Sequence, residues 1–316
     1  MNFLRLSLAS ASLLGFKKTK TDTQTTTIYL MNSGGCTFNC SFCAQAKKAT
    51  SKQQMLSRVS WPEYDLQIIL KALKEQKNKY KRICFQTVNT KDLFRKLPEI
   101  TKKIKLANPK AKLALSVRTY NSKHIDELFA SGADQIGLAI DAINPKEFKK
   151  IKGSDFQKHK DFILKVAKKY PGKIATHLII GLNESEKETI KLLKELTQAK
   201  VIIALFAFTP VKGAKLELQK PPEMKNYRRI QIALYLIKNN LDKKFKFDSK
   251  EQITNFGYQE EKLYQILKNS NVFETSGCKD CNRPYYNEKA NDKELYNYPF
   301  KLNEKTFKKV LENIFL

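Results

Sequence analysis

The chain has 316 residues, long enough for one large α/β barrel or two ordinary domains, and its 41% apolar content with 19 Phe and 13 Tyr excludes a disordered chain. Fifty-nine basic against 31 acidic side chains leave a formal net charge of +28, but 51 of the basic ones are Lys. Nucleic-acid readout leans on the forked guanidinium of Arg, so the charge argues against nucleic acid and fits either steering of an acidic partner or compositional drift toward Lys.

The first 16 residues carry an apolar stretch with one preceding Arg, superficially like a signal peptide. Leu4, Leu6, Leu8, Leu13 and Leu14 also suit an amphipathic helix closed by Gly15, and that reading is preferred for a lead-in over residues 1–26. From there β-branched or apolar runs alternate with amphipathic stretches, the pattern of a parallel α/β architecture. Strands are predicted at 27–31, 82–86, 112–117, 135–140, 174–180 and 201–206, with helices such as 63–79 and 184–198 between them. A long helix over 221–240 and strands near 245–247 and 272–274 would complete eight units and close a TIM-type (β/α) barrel over 27–275. Residues 276–316 are expected to pack on that barrel as a C-terminal segment. No run reaches the ~18 apolar residues that a membrane-spanning helix needs. In such barrels chemistry gathers at the C-terminal ends of strands. The loop from Cys36, then Cys84, Gln86 and Thr87, Arg118, Asp141, and Glu184 follow the first five strands in turn and should converge on one mouth.

Cys36, Cys40 and Cys43 stand at C-x3-C-x2-C spacing in a single loop, and the next Cys is Cys84. Three soft thiolates fill three corners of an iron–sulfur cluster and leave the fourth iron open. A short zinc loop is the alternative. An oxygen-sensitive open cluster, and six cysteines without a disulfide pattern, point to a reducing compartment such as the cytoplasm.

This spacing, with Phe42 before the last Cys, resembles the signature of the radical S-adenosylmethionine (radical SAM) superfamily. The resemblance implies a [4Fe–4S] cluster on Cys36, Cys40 and Cys43 whose open iron binds SAM, with Phe42 beside the cofactor. Asp141 resembles a strand-end residue that binds the SAM ribose, and could instead cap the helix near Pro145. The run from Leu178 through Gly181 to Glu184 resembles the family's G-x-I-x-G-x-x-E element near adenine, with Leu178 replacing its first Gly; Glu184 could otherwise be a helix-start charge. The family's Gly-Gly-Glu element is absent, and Phe85-Gln86-Thr87 occupies its place. Arg118 is placed to clamp the SAM carboxylate, or to form a surface salt bridge.

Cys84, in an Arg-x-Cys context, resembles a ligand of the second, auxiliary cluster in biotin synthase, a sulfur-inserting radical SAM enzyme, and the C-x2-C pair Cys278/Cys281 could take the place of that cluster's other ligands. Biotin synthase places further thiols on the third and fifth strands, where this chain has Leu115, Ser116, Ala175 and Thr176. Arg283 or Ser276 is a candidate fourth ligand, and a zinc knuckle at Cys278/Cys281 is the alternative. Residues 276–288, followed by Tyr296-Asn-Tyr-Pro299, resemble the two-protein lipoyl synthases. That implies sulfur insertion into a protein-bound octanoyl chain, an acidic carrier domain, a second radical SAM subunit and an electron donor such as ferredoxin or flavodoxin as partners, and no membrane. Sulfur insertion into dethiobiotin is the enzyme alternative; a basic zinc- and RNA-binding protein is the non-enzyme one. His124 and His159 are expected on helix surfaces, and His177 as a hydrogen-bonded core residue.

Overall fold

The computed structural model describes residues 1–289 and 291–315. The chain begins with β1 (Phe3–Leu6), α1 (Leu8–Leu13) and β2 (Thr27–Asn32), followed by a hairpin of β3 (Met55–Leu56) and β4 (Val59–Ser60). Then come β5 (Glu63–Asp65), α2 (Leu66–Glu75), β6 (Arg82–Gln86), α3 (Leu93–Ala107), β7 (Lys112–Ser116), α4 (Ser122–Ala130) and β8 (Gln135–Gly137). Two helices, α5 (Pro145–Lys152) and α6 (Phe156–Lys169), precede β9 (Ile174–Ile180), α7 (Glu186–Gln198), β10 (Ile202–Ala207) and α8 (Met224–Lys238). A second hairpin of β11 (Lys246–Phe247) and β12 (Ile253–Asn255), α9 (Glu260–Leu267) and α10 (Glu304–Phe315) complete the chain.

Eight strands form the main sheet in the order β10-β9-β8-β7-β6-β2-β1-β5, an α/β TIM-type fold. The six from β2 to β10 run parallel, each joined to the next through helical connections. The face of these strands turned away from the cavity packs against the helices, which is why Ile28, Leu30, Ile83, Phe85, Leu113, Leu115, Leu178 and Ile180 are almost wholly buried. Local signals hold the helices in place. Asn144 caps α5 ahead of Pro145, and Ser185 with Glu188 forms a capping box at α7.

The sheet reaches eight strands by a different route from the expected one. β1 and β5 extend it past β2, β1 next to β2 and β5 next to β1, with β1 antiparallel to each neighbour. The lead-in is therefore a strand followed by a one-turn helix, not one helix. Leu4 and Leu6 repeat every second residue and are fully buried, the strand period, while Arg5 turns to the other face and donates to Gln53 O at 2.7 Å. Gly15, at φ +87°, ends α1 as anticipated. The strands expected near 245–247 and 272–274 stay outside the sheet. Lys244-Phe-Lys-Phe247 alternates polar and apolar residues, which suits a half-exposed hairpin, and it pairs with β12. Glu274 makes a single bridge to Tyr298.

The C-terminal segment enters the barrel instead. Ser276 Oγ accepts from Leu205 N at 2.8 Å on β10, and Gly277, at φ +108°, lies so close to that strand that a Cβ would stand 2.7 Å from Ala204 Cβ. Asn282 Oδ1 accepts from Thr26 N at 3.0 Å, just before β2. Further on, Asn287 Nδ2 donates to Ala207 O at 2.8 Å, back at the C-terminal end of β10. Residues beyond it are locked to α8 by the buried Arg228, whose Nη1 donates to Tyr296 O at 2.8 Å.

Candidate active site

Inside the barrel is a cavity of about 320 Å³ lined by all six cysteines of the chain. The loop from Ser33 to Cys43 closes its mouth after β2. Thr37 N donates to Asn89 O (2.9 Å), Ser41 N to Ile151 O (2.9 Å) and Cys43 N to Cys40 O (3.1 Å), so the loop is tied to the ends of two other βα units. Burial raises the Cys40 thiol pKa and pushes Cys43 up to about 12, with Cys40 adding to the latter. Thiols held neutral this way ionise when a metal ion takes the proton's place.

The second triad lies deeper. Cys84 is the third residue of β6, level with Tyr29 on β2, and the segment carrying Cys278 and Cys281 brings them close to it. Burial lifts Cys84 to about 12, reinforced by the neighbouring Cys278 and Cys281, and burial raises Cys278 too. Gln86 Nε2 donates to Cys84 Sγ at 2.9 Å, and the Tyr29 hydroxyl is 3.2 Å from Cys281 Sγ. Ser276 and Arg283 also line the cavity, but each is engaged: Ser276 with Leu205, Arg283 with Ser276 O (2.8 Å) and the Phe206 ring (4.0 Å). Between the triads stands Tyr286, whose hydroxyl pKa is raised first by burial and then by Cys43, with Cys84 contributing as well.

Other predicted residues divide into two groups. Phe42, Gln86, Thr87, Arg118 and Asp141 line the cavity. Arg118 Nη1 contacts Cys40 Sγ at 3.5 Å, Nη2 donates to Ser154 Oγ (2.8 Å) and Lys152 O (3.0 Å), and the guanidinium covers the Phe38 ring at 3.8 Å. Asp141, at φ +63°, is ion-paired to the buried Lys152, whose Nζ also donates to Ala139 O at 2.9 Å. Helix capping at Pro145 falls to Asn144, so Asp141 has no capping duty. Gly181 and Glu184 do not line the cavity. The Glu184 carboxylate accepts from Gly181 N (2.7 Å) and Leu182 N (2.8 Å), closing its own turn, and burial raises its pKa.

The histidines differ from expectation in two cases. His159 is buried, not on the surface; α6 turns it inward, Nε2 meets Ala139 O at 3.0 Å, and burial lowers its pKa to about 4. His177 faces the cavity and packs on Phe206, and its pKa is also lowered by burial to about 4. His124 stacks on Phe94 at 3.9 Å, partly exposed on α4. Lys152, Asn89 and Tyr29 escaped sequence reasoning, whereas Tyr286 lies in the 276–288 segment already singled out. Only Tyr29 had a signal, its place inside a predicted barrel strand two residues before the strand end.

The donor set suits an iron–sulfur cluster with an amino-acid ligand. Among the described residues, no three Cys, His, Asp or Glu side chains converge closely enough for a single metal ion. A cluster would take one thiolate of a triad at each of three irons and leave the fourth open to another ligand. Around the mouth, Asn89 Oδ1, Arg118 Nε and Trp61 Nε1 are buried without hydrogen-bond partners. One orphan acceptor and two orphan donors match the ammonium and carboxylate of an α-amino acid, each orphan costing ~1–3 kcal/mol until satisfied.

Comparison with known proteins bears on the same region. The family model described as the radical SAM superfamily matches residues 33–194, just over half of the chain. A biotin synthase of Sulfurihydrogenibium sp. (strain YO3AOP1) is 28% identical over 185 residues, 58% of this chain and 55% of that protein. The chain thus aligns with little more than half the length of that relative. Among solved structures, methylornithine synthase (PylB) superposes with a TM-score of 0.53 at 14% identity, over 66% of this chain and 60% of that one. The FeFe-hydrogenase maturase HydG from Carboxydothermus hydrogenoformans also gives 0.53, at 15% identity, over 68% and 52%. At these identities the structural likeness concerns the fold alone.

Proposed function

Because this chain belongs to the radical SAM superfamily, whose members use a [4Fe–4S] cluster and SAM, we propose that it inserts sulfur at an unactivated carbon of a protein-bound octanoyl chain. The observation that carries this reading is the presence of two separate cysteine triads on one cavity. Cys36, Cys40 and Cys43 would hold the cluster that binds SAM, and Cys84, Cys278 and Cys281 an auxiliary cluster that serves as the sulfur-donating substrate. When bound, the first cluster and SAM supply a 5'-deoxyadenosyl radical that removes hydrogen from carbon.

The chain's own residues would do the positioning. Arg118, beside Cys40, would orient the SAM carboxylate and Asn89 Oδ1 its ammonium, in place of the missing Gly-Gly-Glu element. Asp141, held by Lys152, would face the ribose hydroxyls. Phe42 would flank the cofactor, and Thr87 is fixed to Ser116 O (2.7 Å) at the same wall. Gly181 and Glu184 would act through the shape of their loop. Leu56, Val59, Ile179, Phe208 and Val211 give the cavity apolar walls that suit an alkyl chain and exclude water.

The sequence resemblance to lipoyl synthases supplies the octanoyl substrate, and the basic surface supports an acidic carrier domain as its bearer. A second radical SAM subunit, a ferredoxin or flavodoxin as electron source and a cytoplasmic setting belong to the same proposal; no described helix is long and apolar enough to cross a membrane. Sulfur insertion into dethiobiotin is a second reading, favoured by the biotin synthase relative. Against it, the inward places on β7 and β9 carry Ala114, Ser116 and Ala175 rather than thiols.

Anaerobic reconstitution followed by incubation with SAM, reductant and an octanoylated carrier peptide, alone and with a partner subunit, tests the proposal. The expected results are about eight irons per chain and a thiolated octanoyl product. Thiolated dethiobiotin instead would shift the assignment to the second reading, and bound zinc without iron would end both.

A further inference from the structure

The loops at the mouth of the cavity carry a charge pattern that the cluster chemistry does not use. Between Asp22 and Glu63 the chain has no acidic residue, although 31 acids in 316 residues would put about four in a stretch of that length. This stretch holds β2, the cluster loop and the β3–β4 hairpin, and its exposed cations are Lys47, Lys48, Lys52 and Arg58. The loop after β10 adds Lys212 and Lys215, also exposed. None of the six makes an ion pair or a side-chain hydrogen bond among the described residues. Lysines on the helices are answered by acids more often, as Lys103 is by Glu99, Lys150 by Glu147 and Lys194 by Asp242.

Backbone contacts gather the six on neighbouring loops. Lys47 N donates to Phe38 O (2.8 Å) and Lys48 N to Asn39 Oδ1 (3.0 Å), which anchors both to the cluster loop beside the cavity-lining Phe38. Lys52 follows Ser51, whose Oγ donates to Lys212 O at 2.6 Å, and Thr50 N donates to Gly213 O at 2.9 Å. Gly213, at φ +83°, sits so tightly here that a Cβ would stand 2.4 Å from Ser51 N. Arg58 lies in the hairpin turn between Ser57 and Val59, both of which line the cavity. Leu216 N donates to Ser41 O at 3.0 Å, and two residues on Leu218 is 92% exposed. Glu217 beside it is turned back to accept from Gly213 N at 2.6 Å.

Unpaired cations held on adjoining loops repel one another, and an acidic surface relieves that repulsion. An apolar side chain standing in water among them gains by being covered. Only one of the six is Arg, and Leu218 offers no ring for a base to stack on, so the pattern favours an acidic protein over RNA. The mouth beside these loops leads to the apolar walls at Leu56, Val59 and Val211. Resting on the octanoyl-chain reading above, we propose that Lys47, Lys48, Lys52, Arg58, Lys212 and Lys215 form the docking face for the acidic carrier domain that bears the chain, with Leu218 as its apolar anchor. The loop that holds the first cysteine triad is then also a loop that meets the carrier.

Titrating the anaerobically reconstituted protein into a fluorescently labelled acidic carrier domain, octanoylated on its lysine, reads binding without turnover. Affinity should fall roughly tenfold or more as salt is raised well above physiological strength, and by a similar factor in a Lys52→Glu, Arg58→Glu, Lys212→Glu, Lys215→Glu variant. These four side chains are exposed and unpaired, so circular dichroism and iron content should match the parent. Leu218→Ser removes almost no packed surface and should weaken binding about tenfold. A carrier with Lys in place of acidic-face Glu should regain affinity for the charge-reversed variant. A parent protein that does not bind the carrier, or binds it no better than both variants do, overturns the docking face, while a thiolated product from the parent still upholds sulfur insertion. Carrier binding lost in the variants, with no thiolated product from the parent, upholds the face and ends the octanoyl reading. Tighter binding of a labelled single-stranded RNA than of the carrier overturns the assignment to a protein partner.

Discussion

The two cysteine triads differ in how they are made. Cys36, Cys40 and Cys43 lie within eight residues on one loop, fixed by backbone hydrogen bonds to Asn89 and Ile151. Cys84 is on a strand, and Cys278 and Cys281 arrive from the far end of the chain on a segment threaded into the barrel. The first triad depends on local geometry that can survive changes elsewhere; the second depends on the whole barrel being correctly closed. The same contrast separates their proposed tasks, initiation at the mouth and sulfur supply in the depth.

Five substitutions should break or sharpen that contrast. Cys40→Ala should abolish deoxyadenosine formation while about four of eight irons remain, whereas Cys281→Ala should leave deoxyadenosine formation near normal and abolish the thiolated product; chromatography of both products with iron analysis separates the two. Arg118→Lys keeps the charge but loses the fork, and should raise the KM for SAM about tenfold with a smaller change in kcat. Gly277→Ala should cost ~1–3 kcal/mol, because it combines a left-handed φ with a Cβ 2.7 Å from Ala204, and should lower auxiliary iron without touching SAM cleavage. The smallest effect concerns acid stability. His159 has a folded pKa near 4, below its ordinary 6.5, so its stabilising contribution is complete above pH 6.5 and is lost as pH falls toward 4. That loss is at most ~3 kcal/mol, and His159→Phe should flatten the stability curve between those values in urea titrations.

Much of this was legible from one dimension. The strand predicted at 82–86 matches β6 to the residue, and those at 27–31 and 112–117 differ from β2 and β7 by one. Continuous apolar runs bounded by polar loops specify parallel strands well. β8 stops at Gly137, short of 140, because Thr176 Oγ1 donates to Leu138 O and accepts from Ile140 N, replacing ladder bonds with its own. The loop triad was readable because its spacing is local. What stayed hidden depends on long-range pairing. Leu4 and Leu6 fit a helix as well as a strand until β2 and β5 are seen on either side. Lys152 reads as one lysine among 51 until the fold buries it against Asp141. Nothing in the residues around Asn89 announces an orphan acceptor at the mouth.

The insertion of residues 276–287 has a kinetic consequence. The bond from Thr26 N to Asn282 Oδ1 joins positions 256 residues apart, so the chamber around Cys278 and Cys281 can close only after the parallel sheet has assembled. The last region to form is commonly among the first to open. The amide of Leu205, which donates to the Ser276 hydroxyl, should therefore exchange with deuterium sooner than the ladder amides of β6 and β7, and do so more slowly once iron is bound. Replenishing a consumed sulfur donor would then need no unfolding of the barrel, only the partial withdrawal of one turn-rich segment.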